Sequence, residues 1–379
     1  MKLFGIMIAG GFSSEVSVGS RVLGNSPEVE SLLAVHAVDA AVPKAVETAS
    51  KGRVFALDAG WRANPDGTRP TWAKALGWAK LGSVLPAVIA EARRFATDVV
   101  YSSQQRWDCT LASAVALALG KPQVVHLHYV PGPWLGRLAQ QRLKSSPLVI
   151  TVSEFTRQQV IAHGARPERV TTVLNSIALR AAEPDARGRV RAAWGFGDDE
   201  RLIGNIARFS ETKGQREIIE AFAALAPSTP QARLVLVGDG SIRAALERQA
   251  EQLGLKDRVI FTGSRSDISA CLAAFDVFTH PSYLDPCPLA VLEAQAAGVP
   301  VVAFEDGGIP EIVAHGVTGL LSPVRDVKQL SADMKRLLDD VELSKRLGAA
   351  ARERASAEFN EPLAGQRFTR TLRELLARS

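Results

Sequence analysis

The 379-residue chain has only three cysteines, Cys109, Cys271 and Cys287. Their number is odd, their spacing is wide, and no two stand at metal-ligand spacing. That argues against a disulfide framework and for a reduced, cytosolic compartment. No apolar run approaches the roughly 20 residues needed to span a bilayer. The run from Leu3 to Ala9 is short and is followed at once by Gly10 and Gly11, so it reads as a buried first strand rather than a secretory leader. Internal repeats and low-complexity tracts are absent. Aromatic residues make up 6% of the chain and do not interleave with a basic cluster, so the pattern of a nucleic-acid binder is missing. Missing too is Gly-x-Gly-x-x-Gly after a strand, the dinucleotide-binding fingerprint.

What remains is a globular composition, 46% apolar and 22% charged, in a chain long enough for two domains. The net charge of +5 is uneven. Residues 1–180 hold 20 Lys and Arg against 12 Asp and Glu, and the remainder holds 25 against 28. A basic first half suits an anionic partner or an anionic membrane surface; chance surface composition is the plain alternative.

Strand and helix patterns alternate along the chain. Strands are expected at 2–9, 53–57, 98–102, 123–128, 148–152 and 170–174. The helix patterns between them lie near 14–24, 72–95, 107–119, 135–144 and 154–163. The interior strands are apolar throughout, as parallel strands covered on both faces should be. The pattern fails around 177–200, where Glu183, Pro184, Asp185 and Gly188 read as a linker. A second series follows, with strands at 201–207, 232–237, 258–262, 276–280, 299–303 and 319–321 and helices near 214–226, 241–253, 288–297 and 326–338. The expectation is α/β, two doubly wound Rossmann-like domains facing across a cleft that holds a ligand at the carboxyl ends of both sheets. They are placed at 1–180 and 181–358, with a helix at 359–379 packing back on the first.

The richest stretch runs from Ser282 to Ala294. It leaves an apolar strand, breaks at Pro286 and Pro288, and enters a helix pattern, with seven residues between Asp285 and Glu293. A helix start of this kind offers unpaired N–H groups and partial positive charge to a phosphate, and the carboxylates can accept hydrogen bonds from sugar hydroxyls. After the first strand of the second half, Arg208 and Lys213 stand at a strand end before a helix. There they can neutralise a diphosphate, Arg by a bidentate fork and Lys as a point charge, or be solvated loop charges. Gly10 and Gly11 at the first strand end, Gly263 and Arg265 at a later one, and the Gly307-Gly308 loop are further places where backbone can approach a ligand, or are ordinary turns. His126 and His128 fall on one face of a strand end. Neither acid nor cysteine stands near enough to complete a metal site, so His128 reads as the ligand-facing residue and His126 as packed inside. Trp72, Lys74, Trp78 and Lys80 give one helix pattern a lipid-interface character, with a half-buried surface helix as the alternative.

Taken in order, Gly10-Gly11, Val152 to Phe155, Arg208 with Lys213-Gly214, Val237 to Gly240, Asp285 with Glu293, Gly298 to Val302 and Gly307 to Glu311 resemble the retaining glycosyltransferases of family 4, glycosyl transferases group 1, which have the GT-B fold. The resemblance spans nearly the whole chain and is strongest from 201 to 321. It implies a retaining, metal-independent hexosyl transfer from a nucleotide-diphosphate-sugar, UDP or GDP, with no cofactor. The acceptor would be a saccharide or lipid-linked molecule, in polysaccharide or glycoconjugate synthesis. Arg208 and Lys213 would hold the donor diphosphate, helped by backbone N–H groups near Pro288 and Leu289. Glu293 would bind the ribose. Asp285 takes the first Glu position of the Glu-x7-Glu motif beside the donor sugar, His128 contacts that sugar, and Gly11 lies beneath the phosphates. Rival readings are a nucleotide-sugar epimerase or phosphorylase of the same fold, or a catalytically silent nucleotide-sugar-binding assembly factor. The expected location is cytoplasmic, with peripheral contact at the inner face of the membrane through the basic first half, and with no nucleic-acid partner.

Overall fold

In the computed structural model of the chain, residues 1–7, 19, 21–36, 54–57, 71–103, 106–179 and 182–378 are described, the side chains of residues 36, 57, 71–81, 106 and 107 excepted. The expectations for Gly10, Gly11 and most of the first helix pattern therefore lie outside the described residues, as do the side chains of Trp72, Lys74, Trp78 and Lys80. The chain forms two compact units. One comprises Met1–Ser176 with Glu361–Ser379, the other Ile177–Asn360.

Among the described residues the first unit is built on a parallel sheet of seven strands: β1 (Lys2–Met7), β2 (Glu30–His36), β3 (Val54–Leu57), β4 (Val99–Ser103), β5 (Gln123–Leu127), β6 (Leu148–Thr151) and β7 (Val170–Thr172). Their order is β3-β2-β1-β4-β5-β6-β7. Strands β4, β5 and β6 are buried along their whole length, the pattern of central parallel strands with helices on both faces. On one side Phe4, Ile6 and Val100 pack with Val88, Leu111 and Val115; on another Val125, Leu127 and Val149 pack with Leu143 and Val160.

Strand β2 is absent from the sequence expectations. Its apolar run, Leu32 to Val35, is four residues long and rich in helix formers, so it carries no strand signal by itself. Pairing with β1, from Lys2 opposite Glu30 to Met7 opposite Val35, makes it one.

The second unit has six parallel strands: β8 (Arg201–Ile206), β9 (Ala232–Val237), β10 (Val259–Gly263), β11 (Val277–His280), β12 (Val301–Phe304) and β13 (Gly319–Ser322). They are ordered β10-β9-β8-β11-β12-β13. Ile203, Phe209, Phe222, Leu234, Val302, Phe304 and Met334 lie in its main core. Both sheets reverse their winding next to the first strand of the unit, at β1–β4 and at β8–β11. Such a switch point leaves a crevice outside the strand carboxyl ends.

Where the sequence reads as a linker, the chain forms the helix Ala186–Ala193. Only Ala186 and Val190 anchor it by apolar burial. Arg191, 1% exposed, does the rest, bonding Asp276 at 2.7 Å and the Ala274 carbonyl at 3.0 Å. A helix tied down by buried charge has no hydrophobic period to read.

The last helix, Glu361–Ala377, is part of the first unit. Its Phe368 meets Tyr101 edge to face at 5.9 Å, and the Thr369 hydroxyl donates to the Pro27 carbonyl at 3.0 Å. A Cβ at Gly365 would fall 2.0 Å from the Asn25 carbonyl oxygen, so a side chain there would push the helix off.

Candidate active site

Neighbouring strands β8 and β11 bring two loops together. The loop after β8 carries Arg208 to Gly214 and the loop after β11 carries Pro281 to Pro288. Gly214 closes the gap: its φ is +71° and an added Cβ would stand 2.0 Å from the Pro281 carbonyl oxygen. The Tyr283 N–H donates to the Thr212 carbonyl at 2.8 Å, and the Tyr283 hydroxyl donates to Glu217 at 2.6 Å.

This junction sets Lys213 Nζ 2.5 Å from Asp285 Oδ2. The same oxygen accepts from the Ser282 hydroxyl at 3.0 Å and lies 3.1 Å from His280 Nε2. Asp285 is 7% exposed. Burial by itself would raise its carboxyl pKa, but the His280 hydrogen bond and the Lys213 charge outweigh that and hold it well below the usual carboxylate range. Burial also lowers the pKa of His280, so that imidazole is neutral and donates through Nε2. The site thus contains an ionised carboxylate matched by one cation.

The backbone of Asp285 is held from the other side. Its carbonyl accepts from the Gly308 N–H at 2.8 Å, and the Leu284 N–H donates to Asp306 at 2.9 Å. Gly307, at φ +59°, sits so close that a Cβ would meet the Asp285 carbonyl oxygen at 2.5 Å. Gly308 therefore fixes Asp285 with its own N–H. Beyond the loop, helix Leu289–Ala297 begins after Pro288 with no side-chain cap, leaving first-turn N–H groups for another acceptor. Glu293 is half-buried on this helix.

Arg208 is exposed, and its carbonyl accepts from Gln215 Nε2 at 3.1 Å. Gly263, at φ +74°, ends β10, and its carbonyl accepts from the Gly238 N–H at 2.9 Å. The Arg265 guanidinium forks onto Asp267 at 2.6 and 2.8 Å, so its charge is already matched within its own loop.

In the first unit, His126 and His128 occupy the β5 end, 1% and 7% exposed. Their rings lie 4.2 Å apart at 37°. His126 Nδ1 is 2.8 Å from the Tyr101 hydroxyl. Burial pushes the His128 pKa down to about 4, although a hydrogen bond with Asn175 opposes the shift; burial and the neighbouring His128 carry His126 well below its ordinary value. Both imidazoles are neutral near pH 7.

The structure thus joins Lys213, Asp285 and Gly308 directly and sets Pro288, Leu289 and Glu293 on the helix that follows. His128 belongs to the other unit. Sequence reasoning missed His280, Ser282, Glu217 and Tyr283. The one signal for them was position, since His280 closes an apolar strand five residues before Asp285. Among the described residues no group of three or more His, Cys, Asp or Glu side chains is arranged to hold a metal ion. No described helix is long and apolar enough to cross a membrane.

Two family models match the chain, Glycosyltransferase Family 4 over residues 35–180 and Glycosyl transferases group 1 over 187–354. The chain belongs to the family 4 glycosyltransferases. An N-acetyl-alpha-D-glucosaminyl L-malate synthase from Bacillus anthracis is 30% identical over 227 residues, 60% of this chain and 59% of that relative. A D-inositol 3-phosphate glycosyltransferase from Mycobacterium tuberculosis strain F11 is 32% identical over 251 residues, 64% of this chain and 52% of that one. The match thus spans between half and two thirds of these relatives' own length. In fold, the chain is similar to Anabaena HepE solved with UDP and glucose, with a TM-score of 0.82 at 23% identity, covering 98% of this chain and 99% of that one. The sucrose-phosphate synthase of Thermosynechococcus elongatus gives 0.79 at 22% identity, with both chains covered completely. Family and architecture together are GT-B.

Proposed function

We propose that this chain is a retaining, metal-independent glycosyltransferase that moves a sugar from a nucleotide-diphosphate-sugar to a saccharide or lipid-linked acceptor. The observation that carries the reading is the Lys213–Asp285 pair beside the open start of helix Leu289–Ala297. When the bond from the anomeric carbon to the diphosphate breaks, negative charge builds on the leaving oxygen. Lys213, held by Asp285, and the N–H groups at Leu289 and Ala290 are preorganised to stabilise it, with the exposed Arg208 as a second cation. Asp285 Oδ2 takes all three side-chain hydrogen bonds described above, which leaves Oδ1 to accept from a sugar hydroxyl.

In this proposal the acceptor oxygen bonds to the anomeric carbon on the face the diphosphate leaves, and its proton passes to a phosphate oxygen. Glu293 binds the ribose hydroxyls, and His128 hydrogen-bonds the donor sugar as a neutral imidazole. UDP is favoured over GDP, because the similar Anabaena structure holds UDP. Cytoplasmic location, peripheral contact with the inner membrane face through the basic first half, and a role in cell-surface polysaccharide synthesis belong to the same proposal.

The test is a panel of UDP- and GDP-sugars screened by thermal shift, since a ligand that binds only the folded state raises its stability. The stabilising donor is then used in a transfer assay with excess chelator, the anomeric configuration of the product being read by NMR. A donor that stabilises the protein and gives an inverted product defeats the retaining assignment. No stabilisation by any donor defeats the proposal as a whole.

A further inference from the structure

Three buried side chains behind His128 have no part in the mechanism above. Tyr101 is fully buried at 0% exposure, His126 is 1% exposed, and Asn175 is 7% exposed. They come from three strands or strand ends of the first unit: Tyr101 from β4, His126 from β5, and Asn175 from the segment after β7. Polar groups this deep in a sheet are costly unless they bond one another, and an apolar residue at each place would give a cheaper core. Their geometry points to His128. The Tyr101 hydroxyl is 2.8 Å from His126 Nδ1, the His126 ring lies 4.2 Å from the His128 ring, and Asn175 hydrogen-bonds His128.

The back of this group is closed. Phe368, from the last helix, packs edge-on to Tyr101 at 5.9 Å and lies 6.3 Å from His126, so it covers both rings. Burial keeps the Tyr101 phenol protonated, its pKa raised above the ordinary value. The phenol and His126 Nδ1 then share one hydrogen bond, which the phenol donates if the ring proton sits on Nε2 and accepts if it sits on Nδ1.

We propose that Tyr101 and Asn175 are positioning residues for His128: Tyr101 pins the His126 ring against which His128 packs, Asn175 bonds His128 itself, and together they fix the tautomer and plane in which His128 meets the donor sugar. The inference rests on the reading above, in which His128 contacts that sugar. It adds a reason for two buried polar side chains that the transfer chemistry never uses, and it makes the last helix a support for the site through Phe368.

The decisive variant is Tyr101→Phe. It keeps the ring and its contact with Phe368 and removes one oxygen. Imidazole nitrogen NMR on 15N-histidine-labelled protein reads tautomers without any substrate. In the parent, His126 and His128 should each show one tautomer. In Tyr101→Phe the His126 signals should move to a mixture, and kcat should fall about 10-fold with donor KM changed less than about 3-fold, the signature of lost alignment rather than lost binding. Asn175→Ala should do the same to the His128 signals, and Asn175→Gln should restore part of kcat if it recovers the bond.

Unchanged histidine signals and unchanged kcat in both variants would overturn the proposal. So would a kcat loss that follows a falling melting temperature while both tautomers stay fixed. His128→Ala separates the two layers. Full transfer activity in that variant refutes the role of His128 in the proposed reaction, whereas changed tautomers in Tyr101→Phe with a silent His128→Ala show that the positioning exists and has no catalytic use.

Discussion

Lys213 and Asp285 form an ion pair at 2.5 Å although 72 positions separate them in the chain. Each stands in the loop following one of two adjacent strands; the Tyr283 N–H on the Thr212 carbonyl ties the Lys213 loop to the other, and the Gly308 N–H holds the Asp285 carbonyl. In the family 4 setting, the pair places a cation beside a carboxylate that cannot easily be protonated.

Lys213→Ala should lower the transfer rate by roughly 100-fold, the scale of losing one preorganised charge-stabilising donor. Steady-state kinetics with the identified donor checks this. Turnover within a few-fold of the parent would remove Lys213 from the diphosphate site.

Gly307→Ala tests how the carboxylate is held. A side chain at φ +59°, 2.5 Å from the Asp285 carbonyl oxygen, must move the loop or strain it, at a cost of about 1–3 kcal/mol. The expected result is a lower denaturation midpoint together with weaker donor binding by calorimetry. Donor affinity equal to the parent would mean that the turn does not set the position of Asp285.

Asp276 collects Arg187 and Arg191, both at 2.7 Å, and the Leu202 N–H, also at 2.7 Å. Asp276→Ala leaves the buried Arg191 without its counter-charge and should cost roughly 3–5 kcal/mol. Urea unfolding reads the loss. Replacing the pair together, with Arg191→Met and Asp276→Leu, should recover much of it, because no buried charge then lacks a partner.

Stability should also fall on mild acidification. The His128 pKa is depressed to about 4 from an ordinary 6.5, so above 6.5 both folded and unfolded states leave it neutral. Between those values the unfolded chain binds a proton that the folded one refuses, and the contribution lost by pH 4 is about 3 kcal/mol. His126 and His280 shift in the same direction. Melting temperatures from pH 7 to pH 4.5 should therefore drop less steeply in His128→Asn than in the parent. Parallel slopes would show that His128 does not titrate in this way.

The alternation of strands and helices was legible because the central strands are continuous apolar runs and the helices have clear punctuation. Strand β2 and helix Ala186–Ala193 were not. The first owes its state to a neighbour and the second to the buried Arg191–Asp276 pair, and neither cause leaves a local pattern. At the candidate site, Asp285 and Lys213 could be named from loop position and residue type. Their direct contact could not, since it depends on Gly214 letting one loop lie against Pro281. His280 and Ser282 escaped notice because a histidine and a serine at a strand end are common, and only the folded loop turns both toward one oxygen.

The first unit is not contiguous in sequence: Glu361–Ala377 completes it, with Phe368 seated against Tyr101 and His126. During synthesis that helix leaves the ribosome after every residue of the second unit. The second unit can fold as an uninterrupted segment while the first waits with part of its surface uncovered. A frameshift or nick near residue 360 would thus damage the end of the protein made earliest, the one bearing His128, and leave the Lys213–Asp285 loops intact.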